Sequence, residues 1–193
     1  MRLLSFGIMI RTMAAIFTCL AGFSRADIIP NPEFPFWKDH PVGSSVTFVT
    51  KIYDTESDPD KKDEGEKREL VNTKVVVSTI TSADDKGVET QRKTTLPATA
   101  RRVEQVVEED FTHASTWDEK YKVEYKDLGM EKVTVAGGTF ECMKLQRVEK
   151  SEYAETVITK WWSKEVPGGL VKLVTKNEYS EAVGEVTEFK VAK

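Results

Sequence analysis

Val133-Thr134-Val135-Ala136-Gly137-Gly138-Thr139-Phe140-Glu141-Cys142-Met143-Lys144-Leu145 decides the fold class. Two runs that alternate apolar and polar side chains flank Gly137-Gly138, a pair free to take the positive φ that a tight hairpin demands. The same alternation runs through Ser45 to Tyr53, where Val46, Phe48 and Ile52 share a face with Thr50 while Thr47 and Lys51 lie opposite. Half-buried antiparallel strands have this pattern. Further strands are expected at Leu70 to Ile80, Val88 to Thr95, Lys122 to Tyr125, Glu131 to Ala136, Phe140 to Lys150, Ala154 to Trp162, Leu170 to Tyr179 and Glu185 to Ala192. Composition agrees: from Asp27 onward there are 22 Val and 18 Thr against 6 Leu and 8 Ala. Branching at Cβ crowds a helix turn and suits a pleated surface.

Turns are expected at Asp84-Asp85-Lys86-Gly87 and Ala182-Val183-Gly184, with Pro167-Gly168-Gly169 breaking the chain between Trp162 and Leu170. Strands joined by short turns make neighbours in sequence neighbours in the sheet. One segment favours a helix. Between Ala98 and Phe111, Val103, Val106, Val107 and Phe111 fall at helical spacing among Arg101, Arg102, Glu104, Glu108 and Glu109. A strand remains the alternative there, because these apolar residues are β-branched or aromatic.

Asn31-Pro32-Glu33-Phe34-Pro35-Phe36-Trp37 holds two prolines and three aromatics and reads as an extended arm that packs Phe36 and Trp37 over one end of the core. The rival reading is a docking motif. Asp54 to Glu69 has twelve charged residues in sixteen and reads as a solvated loop. Its Asp58, Asp60 and Asp63 do not make a calcium loop, since Asp63 stands where such a loop needs Gly.

The N-terminus is a leader. Arg2 and Arg11 form a basic region, Thr12 to Phe23 is apolar, and Ser24-Arg25-Ala26 offers a small-x-small cleavage site after Ala26. About twelve apolar residues fall short of the roughly 20 that span a bilayer. The segment Ile16-Phe17-Thr18 before Cys19 lacks the small residue that precedes a lipidated cysteine. The organisation expected is therefore residues 1–26 as cleaved signal peptide, 27–43 as the Pro/aromatic arm and 44–193 as one antiparallel β domain. The product is periplasmic or secreted, with no stable membrane insertion once the leader is gone.

The full chain carries 28 Lys+Arg against 32 Asp+Glu, and the leader holds three arginines and no acid, so the 167 residues after it have a net charge of -7. That balance disfavours nucleic acid as a partner. After cleavage Cys142 is the lone thiol, on the same side of its strand as Phe140, and is expected to be buried and inert. With His40 and His113 the only histidines, no metal-binding pair, nucleophile elbow, phosphate loop or dinucleotide fingerprint is present. No catalytic residue, metal or cofactor is assigned.

Gly129-Met130-Glu131-Lys132-Val133 continuing into the hairpin above, then Thr159-Lys160-Trp161-Trp162-Ser163 and Glu165-Val166-Pro167-Gly168-Gly169-Leu170-Val171-Lys172, resembles exported bacterial proteins related to the lipoprotein-carrier superfamily, the LolA-like half-barrels. The resemblance implies a strongly curved antiparallel sheet around one or a few short helices, with an apolar concavity that in the carriers receives acyl chains. On that expectation Phe48, Val75, Val77, Phe140, Trp161 and Trp162 are the candidate ligand-lining residues, and the partner is an apolar small molecule or acyl chain. Two other classes stay open: an envelope interaction module that binds another protein, and a hydrolase using Cys142 or a histidine.

Overall fold

The computed structural model describes residues 28–56, 67–99, 102–119 and 122–193. The expected leader with its cleavage site after Ala26, and the Asp58, Asp60 and Asp63 cluster, lie outside the described residues. Among the described residues, eleven strands and one short helix follow in order: β1 (Ile28–Pro30), α1 (Phe34–Lys38), β2 (Ser45–Glu56), β3 (Lys67–Ala83), β4 (Gly87–Leu96), β5 (Gln105–Ala114), β6 (Thr116–Asp118), β7 (Lys126–Val135), β8 (Gly138–Lys150), β9 (Glu155–Trp162), β10 (Leu170–Lys176) and β11 (Ser180–Lys190). β1 and β6 make a two-stranded ribbon. The other nine form one antiparallel sheet in the order β5-β4-β3-β2-β11-β10-β9-β8-β7, which does not close into a barrel. It consists of two meanders, β2–β5 and β7–β11, joined where β11 pairs with β2.

The sheet is strongly curved, and α1 measures the curvature. Trp37 stacks on His113 of β5 with ring centroids 4.4 Å apart, while its neighbour Phe36 packs on Trp162 of β9 at 5.1 Å. β5 and β9 are six strand spacings apart in the sheet, about 29 Å if it were flat. A helix of five residues is only about 7.5 Å long. Both contacts require the sheet to wrap around α1. Following the register from Val88↔His113 across to Leu145↔Lys160 puts His113, Val88, Thr90, Ile80, Val46, Phe48, Val186, Leu173, Lys160 and Trp162 on the inner, α1-bearing face. Val46, Ile80, Val88 and Val186 are buried there with Trp37.

The opening hairpin forms, but one residue earlier than expected: Val135↔Gly138 closes β7 on β8, so the loop is Ala136-Gly137, and of the two glycines only Gly138 takes a positive φ, +142°. Gly137 at its tip donates its N–H to the Val186 carbonyl (3.0 Å), which ties the hairpin end to β11. In the break after β9, Gly168 and Gly169 have φ +77° and +74°, and a Cβ on either would run into the Trp37 or Phe36 ring. The Gly168 N–H donates to the Phe36 carbonyl at 2.9 Å. This glycine pair is therefore the seat of α1.

Five expectations need correction. The helix expected over 98–111 is replaced by strand from Gln105 on: Gln105–Ala114 is β5, pairing with β4 from Leu96↔Gln105 to Gly87↔Ala114. The open edge of β4 offers a full ladder of backbone partners and the charge pair Lys93–Glu108 (3.2 Å), and this outweighs helical spacing that has nothing to bury against. Val103, Val106 and Val107 are indeed exposed. The arm is not extended throughout, because Pro35 sits in the first turn of α1, where its missing N–H costs nothing. Asn31 prepares that turn: its Oδ1 accepts from the Glu33 N–H (2.9 Å) and its Nδ2 donates to the Ala114 carbonyl (2.7 Å). The expected packing of Trp37 over the core is present.

Residues Lys122–Tyr125 are not a strand. Ala182-Val183-Gly184 is not a turn but the middle of β11, and Gly184 leaves room for the Phe48 ring lying across it. The chain instead turns at Asn177, whose Oδ1 accepts from the backbone N–H of Tyr179 (2.9 Å) and Ser180 (2.8 Å). Within the charged stretch 54–69, residues 54–56 and 67–69 are strand rather than loop, since β2 and β3 stay paired out to Glu56↔Lys67.

Candidate functional site

The inner face of β8 and β9 is where α1 and the sheet fail to meet fully. Cross-strand pairs Met143↔Trp162 and Leu145↔Lys160, with Arg147 two residues further along β8, place these five side chains on one face. The arm covers part of them with Pro32, Glu33 and Phe36, Trp117 comes from β6, and Val123 and Tyr125 come from the segment before β7. Between floor and cover lies a cleft of about 310 Å³. A second hollow of about 380 Å³, reaching Met130, Glu141 and Ser163–Glu165, borders the same Phe36, Met143 and Trp162.

The cleft has an apolar end and a cationic end. Phe36, Met143 and Trp162 make the first. At the other, Lys160 Nζ stands 5.1 Å from the Tyr125 ring centroid and 5.5 Å from that of Trp162, and the Arg147 guanidinium carbon is 5.4 Å from the same Tyr125 ring. Aromatic faces stabilise such cations by roughly 0.5–2 kcal/mol each, more as water is excluded. Lys160 Nζ is 4.0 Å from Glu33 Oε1, and Arg147 pairs with Glu149.

Of the six candidate lining residues, only Trp162 lines this cleft. Phe48 shares the inner face but lies over Gly184. Val75 and Val77 fall on the outer face by register, opposite Val49 and Thr47. Trp161 is also on the outer face, flanked by Lys144 Nζ at 5.2 Å and Lys172 Nζ at 5.8 Å. Phe140 packs in the hairpin against Phe189, centroids 5.7 Å apart. Sequence reasoning missed Phe36, Met143, Leu145, Arg147 and Lys160. The alternation of β8 held the signal, because Met143, Leu145 and Arg147 sit on the side opposite Phe140 and Cys142.

The groups considered for catalysis are elsewhere. The Cys142 thiol is fully buried, donates to the Phe140 carbonyl at 3.7 Å, and is pushed up to about 11 by burial, with the charges of Glu165, Glu141 and Glu131 adding to it. A nucleophilic thiol needs the opposite shift. His113 Nε2 lies 3.1 Å from Thr90 Oγ1; burial, with Arg92 behind it, lowers the imidazole to about 4. His40 is buried beyond α1. Among the described residues no group of three or more His, Cys, Asp and Glu is placed to hold a metal ion, and no helix is long and apolar enough to cross a membrane.

No family model and no curated protein matches the chain. Solved structures similar to it include the following two. A Bacteroides fragilis protein classed as exported, with a YmcC-like fold, is 11% identical over 86% of this chain and 99% of its own, with a TM-score of 0.47. A Parabacteroides distasonis protein classed as a lipoprotein is 13% identical over 81% of this chain and 98% of its own, with a TM-score of 0.44.

Proposed function

We propose that this chain is an exported, non-catalytic binding protein that holds an apolar small molecule in the cleft between the arm and the β8–β9 face. The leader over residues 1–26 supports export to the periplasm or beyond. The observation that carries the binding reading is the cleft itself: an opening of about 310 Å³ floored by Met143, Leu145 and Trp162 inside a curved sheet. Small-molecule sites have this character, mostly apolar walls with a few placed polar groups. The resemblance to lipoprotein carriers supports an acyl chain as the class of ligand. Native mass spectrometry of the protein exported through its own leader, before and after organic extraction, tests this. Extra mass lost on extraction is the expected result; a bare mass that stays bare when the protein is offered a fluorescent fatty acid overturns the reading.

One observation favours a second function, an envelope interaction module. β5 is an open edge of the nine-stranded sheet, and Val106 and Val107 on it are about half exposed, at 47% and 54%. Open edges with apolar side chains invite strand addition by another chain. Val106→Lys with Val107→Lys should abolish capture of any partner that uses this edge, and unchanged capture in a pull-down would remove the edge from consideration.

A further inference from the structure

We propose that the cleft selects a single-chain amphiphile with an anionic head, a medium-length alkyl carboxylate, over its uncharged counterpart; the inference rests on the binding function proposed above. It comes from a contrast between the two faces of the same two strands. On the outer face, Lys144 is paired with Glu131 at 2.9 Å, and Lys172 of the adjoining strand β10 with Glu185 at 3.0 Å, so the lysines flanking Trp161 are each neutralised at hydrogen-bond distance. On the inner face, one residue along from Trp161, Lys160 is more buried than either, at 21% side-chain exposure, yet its carboxylate neighbour Glu33 is held off at 4.0 Å. Arg147 is comparably enclosed and pairs with Glu149, and its Nε is buried with no acceptor among the described residues.

Both cations face one aromatic ring, that of Tyr125, from 5.1 and 5.4 Å. Lys160 is thus the cation without a carboxylate at hydrogen-bond distance, and the Arg147 Nε, a donor without an acceptor, costs about 1–3 kcal/mol. A carboxylate lodged beside Tyr125 would accept charge-assisted hydrogen bonds from Lys160 and give the Arg147 Nε an acceptor. The register fixes where the chain then goes. Alternate residues of β8 are about 6.7 Å apart, so the floor runs from Arg147 through Leu145 to Met143 over about 13 Å, ending at Phe36 and Trp162. The cations thus sit at Arg147 and beside Leu145, and the floor beyond them toward Met143 and Phe36 is apolar. Its volume, at the low end of the range of roughly 300–1,000 Å³ for small-molecule sites, suits one chain rather than a multi-acyl lipid.

Titration calorimetry of the full mature chain with decanoate and with decanol, which share a chain and differ in charge, tests the proposal. Decanoate should bind about tenfold tighter at low salt, with the gap narrowing as salt is raised. Lys160→Met and Arg147→Met should each weaken decanoate and leave decanol unchanged. Equal binding of the two ligands to the unmodified protein overturns the anionic-head selection while leaving the cleft as a binding site. Equal weakening of both ligands by the methionine variants overturns it too, since the cations would then act only by shaping the slot. If neither ligand binds, the binding function falls, and this inference with it.

Discussion

In the first wing of the sheet, β2–β5, the inner face is closed: Val46, Ile80 and Val88 are buried beneath Trp37, whose indole stacks on His113. In the second wing, β7–β11, the same helix presents Phe36 to Trp162, but Met143, Leu145, Arg147 and Lys160 alongside are only half-buried and border a cleft. Both wings are antiparallel meanders and share α1. What differs is side-chain shape. Short β-branched residues let the indole settle flush on the sheet, whereas long unbranched and cationic ones hold the cover away. The inner face is thus sealed in one wing and bordered by a cleft in the other, although the second wing also holds buried core residues of its own at Val133, Val135, Phe140, Cys142, Trp161 and Val171.

Four changes break or sharpen that division, taken from the largest effect down. Trp37→Ala removes the closure of the first wing and should cost about 3–5 kcal/mol in urea unfolding, with a large fall in Tm. A loss under about 1 kcal/mol would mean that α1 does not seal that face. Gly169→Ala places a Cβ against the Phe36 ring at φ +74° and should cost about 2 kcal/mol or more, by dislodging α1 at the border of the cleft. Thermal melts of this variant beside Gly65→Ala, in the charged stretch, measure the effect.

The third change is pH. His113 titrates near 4 in the native protein against 6.5 in an unfolded chain, because burial disfavours its charge. As pH falls the unfolded chain takes up this proton first, so the contribution is complete above about 6.5 and is lost progressively down to about 4. The loss should be on the order of 1 kcal/mol, discounted for the partial exposure of the ring. His113→Phe, which keeps a ring against Trp37, should flatten that part of the stability profile; an unchanged slope would assign it to the carboxylates. The smallest stability effect belongs to the second wing. Met143→Ala should cost about 1 kcal/mol, below the 2–5 typical of a closed core, because the side chain already borders open space. Its larger consequence should be weaker binding of an alkyl ligand.

Most of the sheet was legible because its determinants are local. Alternation in Ser45–Tyr53 and the glycine pair at Gly137-Gly138 specify strand and turn without help from elsewhere. The failures share a physical cause: the deciding partner is remote in sequence. β5 is a strand because β4 offers it an edge, and Gly184 is a strand residue because Phe48, more than a hundred residues earlier, needs the space. The cleft was the least legible part. Alternation divides the residues of β8 and β9 into two sets but does not say which set faces inward; Phe36 and Trp162 decide that through a contact between the arm and the far wing. Trp162 was reached only because one of two adjacent tryptophans had to point inward.

The most direct test of this contrast between the wings is a methyl-detected NMR titration of the chain from Asp27 with decanoate. The account predicts shifts at Met143, Leu145 and Val123, which border the cleft, with Ile80 and Val88 under Trp37 unmoved. Shifts centred on Ile80 and Val88, or none at all at saturating decanoate, would contradict it.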